Sequence, residues 1–228
     1  RKEVIDKMSF VMKEAYGNPS STHSFGRKSK SYLENARKSI ASILNAESQE
    51  IIFTSGGTES DNMIIQRAVS DLNVKTIISS PIEHHAVIHA IDNLDNIKYN
   101  NVLLTKDGSV DLEHLEKLLV ENNDIKLVSL MHVNNEIGNI LDLKKVGELC
   151  KNNNAYFHTD AVQGIGHFEI NLKELSIDFL SAAAHKFHGP KGVGFLFIRK
   201  NSGLKGLIHG GEQERGLRAG TESVHNIV

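Results

Sequence analysis

The chain has 228 residues, 39% hydrophobic and 24% charged, with a formal net charge of −2 at neutral pH. This length can bury one large core, and the balance provides no basic field for nucleic acid or an anionic membrane. No apolar run approaches the ~20 residues of a membrane-spanning helix, and one cysteine, Cys150, allows no internal disulfide and fits a reducing, cytoplasmic compartment.

The opening stretch RKEVIDKMSF is charged and has no apolar signal core. Val4, Met8, Val11 and Met12 recur at helical spacing, and LENARKSIASIL places Leu33, Ala36, Ile40, Ile43 and Leu44 on one helix face. Six short apolar or β-branched runs then predict strands: EIIFT (50–54), VKTIISS (74–80), IKYNNVLL (97–104), IKLVSLM (125–131), AYFHT (155–159) and IDFLSA (177–182). Amphipathic stretches such as LEHLEKLL and LKKVGELC lie between most of them. The alternation predicts an α/β fold with a mostly parallel sheet and helices on both faces. GVGFLFIRK (192–200) follows the sixth run too closely for a helix, so it should pair antiparallel. TESVHNIV reads as a helix just starting; both ends read as cut, with residues 1–228 forming one large domain.

In open α/β sheets ligands sit beyond the carboxyl ends of the strands. The first strand delivers SGGTES, where Gly57 and Thr58 open a helix whose N–H groups suit a phosphate; an ordinary N-cap turn reads the same residues. The second delivers His84 and His85. His85 and His89 have the spacing of a zinc pair, but no carboxylate third ligand accompanies them, and a flat imidazole is the better use of one histidine; no metal is expected. The fourth delivers Asn134 and Asn135, uncharged amides that also suit a plain turn. The fifth ends on Asp160, costly to bury unless paired, followed by Gln163. The sixth runs through Ala182, Ala183 and Ala184, which leave room beside His185 and Lys186; desolvation and the neighbours His185 and Lys191 would favour a neutral, nucleophilic amine at Lys186. A phosphate cradle, a flat imidazole, a carboxylate, amides and an amine together suit pyridoxal 5′-phosphate.

The motifs YGNPSSTHSFG, FTSGGTES, EHHAV, MHVNNEIGN, FHTDAVQGIG, SAAAHKFHGPKGVGFLFIRK and HGGEQERGLRAGT, in this order, make the chain similar to the NifS/IscS branch of the cysteine desulfurases, which are fold-type-I pyridoxal-phosphate enzymes. The resemblance implies that Lys186 forms the Schiff base, that Asp160 partners the pyridine nitrogen and that His84 stacks on the ring and transfers protons. It puts Gln163 and Asn135 near the ring oxygen and the substrate carboxylate, and Gly57, Thr58 and His185 in the phosphate cup. Thr221 is implied to reach the phosphate of a neighbouring subunit, hence a homodimer. The implied reaction converts L-cysteine to L-alanine, with sulfur passing through an enzyme persulfide to an iron–sulfur scaffold or a thiolation acceptor.

Three departures accompany the resemblance. Ala183 stands where the family has serine, removing a phosphate hydroxyl worth ~1.5–3 kcal/mol. The family's first strand and its small domain, which carries the sulfur-accepting cysteine and a carboxylate-binding arginine, have no counterpart here. Cys150 reads as a buried helix residue rather than that thiol. Rival readings are another fold-type-I enzyme such as selenocysteine lyase, a non-catalytic fragment that binds the cofactor and partners, and a metal hydrolase using His85 and His89.

Overall fold

The computed structural model describes residues 1–228. Helices α1 (Lys2–Glu14) and α2 (Ser24–Ile43) lead into strand β1 (Ile51–Thr54) and helix α3 (Gly57–Asp71). Strand β2 (Thr76–Ser79), helix α4 (His85–Asp92), strand β3 (Lys98–Asn101), helix α5 (Leu112–Val120), strand β4 (Lys126–Ser129), helix α6 (Leu143–Asn152) and strand β5 (Tyr156–Asp160) follow. Strands β6 (Phe179–Ala183) and β7 (Gly194–Ile198) and the short helix α7 (Val224–Ile227) complete the chain.

The seven strands form one sheet in the order β1-β7-β6-β5-β4-β2-β3. The pairs from β6 to β3 are parallel, whereas β7 is antiparallel to both β6 and β1. Reversal of β7 is the expected consequence of its short connection: a parallel crossover needs a dozen or more residues. Six strands therefore point their carboxyl ends at the same edge, and only β7 runs the other way.

Alternation along the strands separates two apolar layers. Ile51, Phe53, Ile78, Val128, Phe157, Leu180, Phe195 and Phe197 pack with Leu33 of α2, Leu115 of α5 and Val146 of α6. Ile52, Ile77, Leu127, Phe179, Leu196 and Ile198 face the other way, onto Met63 and Ile64 of α3 and Val87 and Ile91 of α4. Helices thus cover both faces, as the alternation predicts, and this is the fold-type-I architecture. Each large side chain so buried contributes about 1.5–3 kcal/mol.

Two expected core residues are exposed: Met12 at 58% and Ile43 at 78%. At 3.6 residues per turn Ile43 lies about 80° round the helix from Leu33, on the side away from the buried Arg37 and Ala41. Met12 flanks Val11, the one buried residue of α1, a helix that packs mainly against α7 rather than the sheet. The outer edge of β1 is sealed by side chains rather than a strand: Glu214 accepts from the Phe53 N–H at 2.8 Å and Arg37 donates to the Ile51 carbonyl at 2.6 Å. These edge groups would otherwise be open to strand pairing.

Candidate active site

Five strand ends meet at one pocket of about 280 Å³. Gly57 and Thr58 follow β1, His84 follows β2, Met131 and Asn135 follow β4, Asp160 ends β5 with Gln163 beyond it, and Ala183 ends β6 with His185 and Lys186 beyond it. Eight of the nine residues expected from sequence converge here. The ninth, Thr221, is exposed and lies outside the pocket.

The β1 corner is shaped by glycine. Gly56 has φ +152°, a backbone state that L side chains rarely adopt, and a Cβ on Gly57 would come within 2.6 Å of Val162 Cγ2. The close approach brings the first turn of α3 against the turn after β5. No side chain caps α3, so its first N–H groups and the positive end of its dipole are free to hold an anion. Ser55 N–H donates to Glu59 Oε2 at 2.9 Å, and Glu59 in turn pairs with Arg218 at 2.8 Å, tying the loop that carries Thr221 to this corner.

His84 is the N-cap of α4, with its Nδ1 accepting from the Ala86 N–H at 3.1 Å. That bond fixes the neutral tautomer with the proton on Nε2. The two neighbouring asparagines divide their labour. Asn134 is buried; its Oδ1 accepts from the Glu136 and Ile137 N–H groups and its Nδ2 donates to the Ile82 carbonyl, joining the loops after β2 and β4. Asn135 is exposed and lines the pocket.

Asp160 is the last residue of β5 and 5% exposed. Its Oδ1 accepts from the Val162 N–H at 2.9 Å, a local turn in place of a helix N-cap. Burial pushes its carboxyl up to about 7, and the charge of nearby Asp61 adds to the rise. Lys186 ends a 3-10 turn, Ala184–Lys186, secured by the Phe187 and Gly189 N–H groups on the Ala184 carbonyl. Its side chain is exposed, not sealed in as the small residues before it suggest. The reason is that Ala183 alone of the three alanines lines the pocket, while Ala184 is packed against Gly189.

Sequence reasoning missed Asp61, Met131 and Val162, which complete the wall. Asp61 carries a signal only in hindsight: it is a carboxylate at the head of the buried run Met63, Ile64 and Ile65. His85 and His89 stack with centroids 4.9 Å apart, and no third His, Cys, Asp or Glu joins them in a metal-binding group. Cys150 is 1% exposed on α6 within the core, far from thiolate character because burial pushes its thiol up.

These residues fit pyridoxal 5′-phosphate. The pocket wall combines an uncapped helix start, an accessible amine and a buried carboxyl without a cationic partner, together with an Asp61 Oδ1 that has no hydrogen-bond partner. A dianion, an aldehyde and a ring cation would satisfy the three in turn.

The aminotransferase class-V family model matches residues 1–228. A cysteine desulfurase IscS of Dictyoglomus turgidum is 48% identical over 232 residues, covering 100% of this chain and 58% of that protein. Among solved structures, a NifS-like protein superposes with a TM-score of 0.95 at 42% identity, covering 100% of this chain and 63% of the other. SspA in complex with cysteine superposes with a TM-score of 0.94 at 33% identity, covering 100% and 67%. The chain thus spans less than two thirds of the length of the curated relative it matches.

Proposed function

We propose that this chain, which belongs to the class-V aminotransferase family, is the cofactor-binding portion of a pyridoxal-phosphate-dependent cysteine desulfurase acting on L-cysteine. The observation that carries the reading is the convergence of Lys186, Asp160, His84 and the start of α3 on one pocket. The relatives named cysteine desulfurase and the neighbour described in complex with cysteine support the substrate.

When bound, pyridoxal phosphate supplies an aldehyde that condenses with amines and a ring that withdraws electrons from the bond being broken. The chain's own residues place and protect it. The first N–H groups of α3, with Thr58 and His185, hold the phosphate. Asp160, steadied by Val162 N–H, presents a carboxylate to the ring nitrogen. Lys186 presents its amine from a turn fixed by two backbone hydrogen bonds and by His167 Nε2 on its own carbonyl. His84 would lie against the ring and act as a donor from Nε2; taking up a proton at Nδ1 would break the cap on Ala86, so proton transfer by His84 would be coupled to loosening the start of α4. Gln163 and Asn135 offer amides to the ring oxygen and the substrate carboxylate.

The thiol that takes the sulfur is not Cys150. Such a thiol must reach the substrate and then an acceptor, so it needs a mobile, exposed position and thiolate character, and Cys150 has neither. A homodimer in which Thr221 completes the partner's phosphate site, transfer of sulfur to an iron–sulfur scaffold or thiolation acceptor, and a reducing cytoplasmic setting belong to the same proposal. The exposed Thr221 on its tethered loop supports the homodimer, the free Cys150 the reducing setting, and the relatives named cysteine desulfurase the transfer of sulfur.

Mixing the chain with pyridoxal 5′-phosphate, reducing with borohydride and mapping peptides tests the reading. The pyridoxyl group is expected on Lys186; labelling of Lys191 instead overturns the assignment. With L-cysteine and a reductant the 228 residues should release no sulfide, and sulfide release lost in Cys150→Ser would show the nucleophile to be Cys150 after all.

A further inference from the structure

Two of the pocket side chains that would meet on one ligand come from different loops: His84 follows β2 and Asn135 follows β4. Each loop is firm in itself. From Asn134 to Asn139 the chain closes into a turn. The Asn134 N–H donates to the Asn139 carbonyl at 2.9 Å, the Gly138 N–H donates to the Asn134 carbonyl at 3.1 Å, and Gly138 takes φ +74°. Asn139 Nδ2 fastens this turn from outside, donating to the Asp107 carbonyl at 2.8 Å. Residues 80–83 form the other turn, where Ser80 Oγ donates to Glu83 Oε1 at 2.6 Å, and His84 caps α4 directly after it.

Asn134 bridges the two turns. It is 5% exposed, and both ends of its amide are in use. The Glu136 and Ile137 N–H groups donate to Oδ1 at 2.8 and 3.0 Å. Nδ2 donates to the Ile82 carbonyl at 2.8 Å and lies 3.2 Å from Met131 Sδ. Donors on one side and acceptors on the other permit a single orientation of the amide. Oδ1 therefore holds the residue's own turn, while Nδ2 holds the chain two residues before His84. Asn135, the next residue, donates one Nδ2 hydrogen to Glu136 Oε1 at 2.7 Å, which leaves it a second hydrogen and its carbonyl oxygen. An exposed side chain in this position contributes to binding only if the backbone that carries it is already placed, since ordering it at the moment of binding costs entropy.

We propose that Asn134 is a positioning residue: through its bond to the Ile82 carbonyl it sets the spacing between His84 and Asn135, so that the imidazole and the amide address one bound molecule together. The consequence for pyridoxal phosphate rests on the proposed function; the tie between the loops does not. The same bond defines which part of the site is independent of it. Gly57 and Thr58 come from the end of β1 and His185 from the end of β6, so the phosphate end of the pocket does not depend on the register of the loops after β2 and β4.

Asn134→Ser separates the two ends of the amide. A serine oxygen still accepts from the N–H groups of its own turn but is too short to reach Ile82. Asn134→Asp keeps the side-chain length and the acceptor while losing the donor, and it replaces the serine variant if that one fails to fold. In either, the dissociation constant for pyridoxal 5′-phosphate should rise about tenfold while that for inorganic phosphate stays within about twofold. Asn135→Ala, expected to weaken pyridoxal phosphate about tenfold in the unaltered chain, should weaken it less than about threefold when added to Asn134→Ser, because both act through one placement. In the cofactor-free chain the Ala86 amide, which donates to His84 Nδ1, should exchange with solvent about tenfold faster, with Leu127 and Val128 of β4 unchanged. Unchanged affinity for pyridoxal phosphate, inorganic phosphate weakened by the same factor, full additivity of the two substitutions, or an unchanged Ala86 rate each overturns the proposal. If the unaltered chain binds no pyridoxal phosphate, the proposed function falls instead, and the exchange rates alone decide whether Asn134 ties the loops.

Discussion

The molecule buries carboxylates in two places and treats them differently. At the outer edge of β1, Glu214 is matched on every side: Arg37 Nη1 and Nη2 donate to it at 2.7 and 2.8 Å, and the Phe53 N–H adds a third bond. Arg37 is itself spread between Glu214, Glu34, the Ile51 carbonyl and the face of the Phe53 ring. At the carboxyl ends of the strands, Asp61, Glu83 and Asp160 have no cationic side chain in ion-pair contact, only hydroxyls, a backbone N–H and a neutral imidazole. The first arrangement is complete without a ligand. The second is complete only when protons or a cationic ring nitrogen arrive, and that difference separates a structural charge from a functional one.

The largest effect tests the completed centre. Arg37→Ala strands Glu214 in a site where its side chain is 1% exposed, and losing one partner of a buried pair costs about 3–5 kcal/mol. The Glu214–Arg215–Gly216 segment adds to the expected loss, because Glu214 and Arg215 hold left-handed φ values of 47° and 60° that their contacts must sustain. Urea unfolding measures the loss; a change under about 1 kcal/mol would show that the pair is not matched as its geometry says.

Next in size is pH, which acts on the incomplete centre. Asp61 and Asp160 are held up at about 7 and Glu83 at about 8, against about 4 for unfolded carboxyls. The folded chain therefore keeps protons that the unfolded chain releases. The stability these acids contribute is fully present below pH ~4 and is lost as pH rises through their folded values. His158, held down at about 4, acts in the opposite sense between there and its ordinary value of ~6.5, but three acids outweigh one imidazole. The unfolding free energy of the cofactor-free chain should fall between pH 5 and 8, by several kcal/mol in total. A flat value across that window would mean the acids are better solvated than their burial indicates.

Asp160→Asn joins the two ideas, since the same change should move stability and binding in opposite directions. Without the cofactor the variant is expected to be at least as stable as the parent at pH 8, because a buried unpaired charge is gone. With the cofactor it should lose about 1.5–3 kcal/mol of affinity for pyridoxal phosphate, one charge-assisted hydrogen bond. Calorimetry on both states decides it, and a variant weakened in both would place Asp160 with Glu214 as a structural charge.

Much of this was legible in sequence, for a definite reason. Strand ends in a parallel sheet are collected at one edge by topology, so His84, Asp160 and Lys186, about a hundred residues apart, could be read as neighbours once the strands were located. What escaped was set by side-chain direction rather than chain position. Arg37 and Asp61 sit on amphipathic helices where a charge reads as a solvated residue, and His158 lies within a strand that reads as plain β-structure; all three are at most 2% exposed. Ile43 failed the other way, an apolar residue one step off the buried stripe. Lys186 lines the pocket but is exposed, because Ala184 packs at Gly189 rather than beside the amine.

The smallest expected effect concerns Ala183, and its sign is informative. The residue is 1% exposed, lines the pocket, and stands 3.9 Å from where a Cβ on Gly57 would be, at the start of α3. A serine there gains a hydroxyl with one use: to donate to an anion held by the first turn of the helix. If the phosphate of pyridoxal phosphate sits at Gly57 and Thr58, Ala183→Ser should tighten its binding up to about tenfold, and inorganic phosphate should compete better by a similar factor, since a neutral hydroxyl bonding a charged oxygen is worth roughly 1–2 kcal/mol after the loss of its own hydration. If the anion sits elsewhere, the same hydroxyl is buried without a partner and the substitution costs about 1–3 kcal/mol of stability with no gain in affinity. Measuring both unfolding and phosphate binding in this one variant therefore locates the anion: tighter binding with preserved stability assigns it to the uncapped end of α3, and lower stability with unchanged binding removes it from there.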